Sequence, residues 1–461
     1  VNEKNTCMKQ FKLTAKLIPA IIAMVLSTTG FAQLNGNYTI GGASPDYPTL
    51  VSAVNALNSN GVSGPVTFDI RSGTYTGQVS INSISGASAT NRITFQSETG
   101  NPSDVTINFN PGSSNNYIIR LNNASYITIK KITVTTLSTS RGRLIEFRTN
   151  ASYNVVDNCI LDAVGTSSNM ACIYGTSLRG TDNTFKNNML THGYYGIYFR
   201  GSGTSYSNNT KNTVIENNEY DNVWYYSNYL YYQHNLKFRG NAITKTDNGT
   251  HYGARIYYSD NKLEFTDNTI TMDGTGTRYG LYAYYNDGGM IVSNNKITIT
   301  NTGTKYGMRM YYNYGIPSNV SEVMNNVIAI DNGTSTAYGL FNYYSEYQLT
   351  ANNSINVKST SSSTVAARFY FTSTAYSHND VLNNAFSNET GSGYTLYLYN
   401  GNQAYNNTWD YNNIYNGTNK LIQTVSPSQT YTTLASWQAA YDQDMNSISY
   451  DPGFTSTTDL R

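Results

Sequence analysis

The sequence predicts an all-β fold, a right-handed parallel β-helix solenoid of roughly a dozen coils with a short N-terminal capping helix. Three observations carry that prediction. A two-part unit recurs along the chain, typified by residues 279–299, which read YGLYAYY, then a polar Gly-containing break, then IVSNNKITI. An Asn pair or its near equivalent recurs with it. Its second member is placed at Asn158, Asn188, Asn218, Asn241, Asn268, Asn295, Asn326, Asn353, Asn384 and Asn413, in steps of 23 to 31 residues. After each pair, apolar and polar residues alternate, as in Ile297, Thr298, Ile299, which is the period of a half-buried strand. A period of this length with two strand-like segments marks a solenoid.

The unit explains its own stacking. It is too small to bury its apolar face alone, so units must lie on one another as parallel strands about 4.8 Å apart. An Asn at one inward-turned corner of every coil then forms an amide ladder. The YG half recurs from Tyr195, Tyr252, Tyr306 and Tyr338, and in weaker form from Val365 and Thr395. Positions one and three after Gly are mostly apolar (Leu281 and Ala283, Met308 and Met310, Ala254 and Ile256) and are expected to point in. Positions two and four are Arg or aromatic and are expected to point out.

In chain order, residues 1–32 read as a targeting segment. Lys9, Lys12 and Lys16 follow Met8, an apolar run spans 17–26, and Gly30, Phe31 and Ala32 supply small residues near a cleavage point. The run is too short to anchor in a membrane, so a secreted or outer-surface chain is expected, with no membrane insertion. Residues 33–65 are assigned to an N-terminal cap. Leu50, Val51, Val54 and Leu57 fall at helical spacing, Pro48 suits a first helical turn, and Gly61 follows the end. Strands are expected at 66–70, 79–84, 92–96, 105–109, 117–121 and 126–134. The β-helix is assigned to 66–417. Residues 418–461 form a closing segment in which Leu434, Trp437 and Tyr441 suggest a second helix.

Composition narrows the partners. Of 461 residues only 12% are charged, against 43 Tyr and 37 Gly. Residues 1–32 hold four Lys and one Glu, so 25 basic and 27 acidic residues remain. No cationic excess exists to neutralise phosphates, which argues against nucleic acid. Cys159 is expected to face out. A disulfide to Cys172 and two isolated thiols are both open. The turns beginning at Asp247, Asp273, Asn301 and Asp331 read as Asn/Asp/Gly turn chemistry. An acidic column binding calcium is the alternative there, interrupted at Asn301. Otherwise no metal and no cofactor are expected.

Residues 38–96 (YTIGG, DYPTL, SGPVTFDI, SGTYTGQVSI, GASATNRITFQS) and the closing TYTTLASWQAAYDQDMNSISYDPGF resemble secreted right-handed parallel β-helix (pectin-lyase-like) surface proteins of the Bacteroidota, often type IX secretion substrates. The resemblance implies one module of a longer surface protein. It implies no lyase activity, because this fold hosts catalytic and non-catalytic proteins alike. No sorting domain precedes Arg461, so a fragment with further domains in its parent chain is expected.

Chemistry-bearing patterns are sparse. Asp157, Glu216 and Asp267 are expected in the ladder, in separate coils, and His192, His234, His251 and His378 share no repeat position. No catalytic residue is assigned. The outward column two after Gly runs Tyr198, Arg255, Tyr282, Arg309, Phe341, Arg368 and Tyr397. The column four after it runs Arg200, Tyr257, Tyr284, Tyr311, Tyr343, Tyr370 and Tyr399. Aromatic stripes of this length tend to mark binding. A Tyr platform suits the apolar C–H faces of sugars, while hydroxyls and Arg bond their oxygens. The expected function is a non-catalytic, adhesin-like module binding polysaccharide or surface glycan. Its ligand-binding residues are Tyr198, Arg255, Tyr257, Tyr282, Tyr284, Arg309, Tyr311, Tyr343, Arg368, Tyr370, Tyr397 and Tyr399. The alternative is a polysaccharide lyase or glycoside hydrolase of the same fold.

Overall fold

A computed structural model of the chain describes residues 32–331, 333–371, 377–400 and 407–454. All but the last residue of the expected targeting segment, and the chain end at Arg461, lie outside the described residues. Successive coils pass through three sheets of 14, 15 and 13 strands, every neighbouring pair parallel until the last. The solenoid therefore has about fourteen turns rather than a dozen. Only Ile422–Ser426 and Ser428–Tyr431 pair antiparallel, at the C-terminal end.

One coil shows how the pattern folds. Leu263–Thr266 lies in the first sheet, Thr269–Met272 in the third and Arg278–Asp287 in the second, and Met290–Ser293 begins the next coil. Identical positions stack: Phe238 on Phe265 on Val292, Ile270 on Ile297 on Ile328, and Leu281 on Met308 on Leu340. All of these side chains are buried. Each coil thus contributes one layer to a continuous apolar column, which no single coil could enclose.

The Asn pair meets two separate demands. Its first member turns the corner with positive φ, as Asn187, Asn217, Asp267, Asn294, Asn325, Asn352 and Asn383 do, a region that Asn and Asp tolerate better than most residues. Its second member points inward and forms the ladder. Asn188, Asn218, Asn241, Asn268, Asn295, Asn326, Asn353, Asn384 and Asn412 are buried, each amide donating to the next across 2.9–3.1 Å.

This separation of roles corrects the register at both ends. Asn158 is the corner residue (φ 52°) and exposed, so Cys159 occupies the ladder slot, where its N–H donates to Asn188 Oδ1 at 2.9 Å. At the other end Tyr411 turns the corner (φ 58°) and Asn412 fills the slot, while Asn413 already belongs to the next strand. Cys159 therefore faces the core and not solvent. Cys159 and Cys172 are both buried and free. Asp157, Glu216 and Asp267 are outside the ladder as well: Asp157 and Asp267 accept from the corner amides Asn187 and Asn294, and Glu216 pairs with Arg239.

The expected strand at 126–134 is two strands, Ile127–Lys130 and Thr133–Thr136, because Lys131 turns a corner at φ 55°. The strand at 79–84 ends at Ile81. Leu34–Ile40, within the segment read as cap, is already a strand paired with Val62–Ile70. Helix α1 (Leu50–Asn60) is capped by Thr49, which accepts from Ser52 N, so Pro48 stands before the helix and not in its first turn. Leu50, Ala53, Val54 and Leu57 cover the solenoid end, whereas Val51 is exposed. Helix α2 (Leu434–Tyr441) inserts Trp437 at the opposite end. There Trp437 Nε1 donates to Asp444, which also accepts from Asn412. A carboxylate thus terminates the amide ladder by accepting from Asn412 Nδ2, while the Asn412 backbone N–H donates to Ser447 Oγ.

The turns after the third sheet are filled by cations. Buried Lys245 meets Asp247 and donates to the Val223 carbonyl. Arg278 donates to carbonyls of Asp247, Gly249 and Asp273, and Lys305 to that of Gly303. Among the described residues no group of three or more His, Cys, Asp or Glu is placed to hold a metal.

Candidate functional site: an aromatic face and its acidic edge

The outward face of the second sheet is the place where the repeat concentrates chemistry. Register follows the expected column, with Tyr229 inserted between Tyr198 and Arg255. Tyr198 pairs with Tyr229, then Arg255, Tyr282, Arg309, Phe341, Arg368 and Tyr397. Beside it run Arg200, Tyr231, Tyr257, Tyr284, Tyr311, Tyr343 and Tyr370. Tyr399 continues this line, its ring 3.8 Å from that of Tyr370. All the expected residues lie on this one face. Tyr198, Tyr257, Tyr282, Tyr284, Tyr311, Tyr343, Tyr370, Tyr397 and Tyr399 are half-buried, as are Arg255, Arg309 and Arg368. Phe341 is buried.

Two more columns belong to the face, and the coil at Tyr226–His234 was missed because Ser227 replaces the Gly of the YG signature. The residue before Gly gives Tyr195, Tyr226, Tyr252, Tyr279, Tyr306 and Tyr338, stacked at 4.3–5.5 Å between ring centres. The residue five after it gives Tyr232, Tyr258, Tyr285, Tyr312 and Tyr344. Each of these has φ between 52° and 56°, and their rings lie 4.6–5.5 Å apart. A bulky residue in that region is strained; the same corner in earlier coils is filled by Asn123, Thr149 and Ser177, with φ of 55°, 59° and 55°. The signal was present in sequence as the doubled Tyr of YGARIYY and its copies.

The arginines emerge on this face as expected and lie among the rings. Arg255 donates to the hydroxyls of Tyr226 and Tyr257, the latter at 2.6 Å, and Arg309 to those of Tyr311 and Tyr279 at 3.1 and 3.4 Å. Their guanidinium carbons sit 4.5–5.8 Å from the surrounding ring centres, within cation–π range. They lie between the rings and fix their tilt. Burial pushes the phenols of Tyr306 and Tyr343 up to about 12, so they are neutral donors at physiological pH.

The same column continues toward the N-terminus as an ion cluster. Glu146, 1% exposed, lies 2.6 Å from Arg120 and 2.9 Å from Arg143, with Arg148 at 3.9 Å.

The far edge of the face, past the Tyr corners, is acidic. Lys211 pairs with His234 and His234 with Asp260, and the register of Ser259 with Asn286 sets Asp260 beside Asp287. His234 Nδ1 is 2.7 Å from Asp260 Oδ1, and Asn209 Nδ2 donates to Asp260 Oδ2 at 3.0 Å. The Tyr206 ring meets His234 edge-on at 4.6 Å. Sequence reasoning assigned no carboxylate pair. The signal was there: Asp260 and Asp287 stand one repeat apart, as Asn268 and Asn295 do.

A family model described as right handed beta helix region matches residues 203–297. No curated protein matches the chain. Among solved structures, similar ones include a mannuronic acid specific polysaccharide family 6 lyase from human gut microbiota. It is 12% identical, with 82% of this chain and 86% of that chain covered and a TM-score of 0.40. The A-module of a mannuronan C-5 epimerase from Azotobacter vinelandii is 14% identical over 88% and 97% of the two chains, with a TM-score of 0.37. A rhamnogalacturonan lyase is 12% identical over 75% and 84%, with a TM-score of 0.33.

Proposed function

We propose that the tyrosine face binds a polysaccharide or surface glycan, and that the chain is an adhesin-like module held outside the cell. One observation carries this reading. Four aromatic columns run in register over successive coils, and one of them is held in strained backbone. The corner imposes this φ on whatever residue fills it, as on Asn123, Thr149 and Ser177 in earlier coils, yet five successive coils place Tyr there and so widen the platform by one column. The half-buried rings offer apolar faces and neutral hydroxyls, which is what a sugar chain requires. These columns carry no carboxylate from Tyr198 to Tyr399, so the face binds without itself turning over its ligand. Export rests on the leader-like residues 1–32, and a Bacteroidota type IX origin on the resemblance of residues 38–96. The parent chain would then contribute its other domains.

The test is affinity gel electrophoresis of the wild type and a Tyr284→Ala/Tyr311→Ala double variant against xylan, mixed-linkage β-glucan, polygalacturonate and alginate. The expected result is retardation of the wild type by at least one polymer and weaker retardation of the variant. Each lost ring should cost about 1 kcal/mol, and long polymers should suffer more than short oligomers because they engage several coils at once. Equal retardation of the two proteins, or none of the wild type, refutes the reading.

A further inference from the structure

We infer that the ligand of the tyrosine face is an anionic polysaccharide carrying one carboxylate or sulfate on every second sugar. It lies along the solenoid axis, so that its charges meet Arg255, Arg309 and Arg368 in turn. The inference deepens the binding reading and rests on it, since the rings supply the platform on which the charges are read.

Arginine and aromatic residues alternate strictly in the column two after Gly. Arg255 is followed by Tyr282, Arg309 by Phe341 and Arg368 by Tyr397, each on the next rung. Rungs are about 4.8 Å apart, so successive arginines stand about 9.6 Å apart. A sugar chain extended along the column presents one disaccharide in that length. A charge on every second sugar therefore meets an arginine each time, and the uncharged sugar between meets a ring.

These arginines lack a counter-ion. All three are half-buried, and among the described residues none of them forms an ion pair. Arg309 donates to the hydroxyls of Tyr279 and Tyr311. Its Nε is buried without an acceptor, as are those of Arg255 and Arg368. A guanidinium has five donors, so two of those on Arg309 are left for a ligand. Hydroxyls accept hydrogen bonds without cancelling the charge, and the surrounding rings offset only part of the cost of taking it from water. An anion on the ligand supplies the rest.

The same column holds such an anion where the protein provides one. Glu146 lies between Arg120 on one rung and Tyr174 on the other. Its two oxygens are 2.6 Å from Arg120 and 2.9 Å from Arg143, and the Arg143 guanidinium lies 3.6 Å over the Tyr174 ring. A carboxylate thus fits among arginines and tyrosines on this face with both oxygens bonded. From Tyr229 onward the rungs on either side of each arginine carry Tyr or Phe, so there the oxygens have to come from outside the chain. Asp260 and Asp287, past the Tyr258 and Tyr285 corners, repel an anionic polymer from that edge and hold it to the arginine column.

The experiment extends affinity electrophoresis of the full chain to five polymers. Hyaluronan carries one carboxylate per disaccharide and kappa-carrageenan one sulfate per disaccharide. Alginate and polygalacturonate carry a carboxylate on every sugar, and mixed-linkage β-glucan is neutral. The expected result is strongest retardation by hyaluronan or kappa-carrageenan, the stronger of the two identifying the anion as carboxylate or sulfate. An Arg255→Gln/Arg309→Gln/Arg368→Gln variant should lose at least about 10-fold in affinity for that polymer. It should also lose most of the salt dependence of binding. The corresponding triple Lys variant, which keeps the charge, should lose less. Melting is recorded for each protein, and Arg309→Gln alone replaces the triple variant if that melts early. Retardation by the neutral polymer alone, or equally by all five, overturns the anion and leaves the binding face standing. Retardation by alginate or polygalacturonate as strong as by the alternating polymers overturns the spacing. Unchanged affinity in the Gln variants overturns the role of the arginines. Absence of all binding refutes the face, and this inference with it.

Discussion

Asn295 donates from Nδ2 to Asn326 Oδ1 at 2.9 Å, and the same oxygen accepts the backbone N–H of Asn295 at 3.1 Å. One buried carbonyl oxygen thus satisfies two donors of the preceding coil, while Asn295 Nδ2 also reaches the Phe265 carbonyl at 2.9 Å. The motif repeats from Asn188 to Asn412, so every corner along that length depends on the coil that follows it.

Replacing Asn295 by Leu should therefore strand donors on Asn268 and remove the amide donor from Asn326 Oδ1 and from the Phe265 carbonyl, at a cost of about 1–3 kcal/mol. Asn294→Gly, one residue earlier, should be nearly neutral, because Gly adopts the required positive φ as readily as Asn. Denaturant midpoints of the two variants decide the matter. Equal midpoints would show that the corner is held by its backbone conformation and not by the amide.

His251 is buried, its Nε2 3.1 Å from Ser227 Oγ. Burial first, and then the charges of Lys245 and Arg278, push its pKa well below the ordinary 6.5. A base with a depressed folded pKa contributes stability that is present above its unfolded pKa and lost as pH falls. Below about pH 6.5 the unfolded chain takes up a proton that the folded chain refuses. The melting temperature should fall between pH 7 and pH 5, and His251→Gln should flatten that slope. A slope identical in the two proteins would remove His251 as its source.

Burial pushes the Cys159 thiol up to about 12 and raises Cys172 as well. In a Cys7→Ser background neither should react with an aromatic disulfide reagent in the native state, and both should react in denaturant, since the thiolate is the nucleophile. Rapid native labelling would place one of them at the surface. Failure to label in denaturant without reductant would reveal a disulfide.

Much of this fold is legible in one dimension. A repeat of 23 to 31 residues, an Asn pair at a corner, and apolar residues at alternate positions define a stacked coil, because each is a local demand repeated often enough to be seen. The inward set Leu281, Ala283, Met308 and Met310 and the outward Tyr columns follow from the two-residue period of a strand. The capping helix follows from Leu50, Val54 and Leu57 and the Gly after it.

Tertiary structure decided what faces what across coils. Cys159 entered the ladder because Asn158 had already taken the left-handed corner, a choice between neighbours that composition does not encode. Arg255 and Arg309 lie between rings because tyrosines of the adjacent coils offer hydroxyls and π-faces within reach. Asp260 and Asp287 meet only through stacking, and Asn209 joins them because its coil carries extra residues before the next corner. Periodicity specifies the face on which a side chain emerges. Its neighbours there depend on the register between coils of unequal length, and that register exists only once the chain has wound.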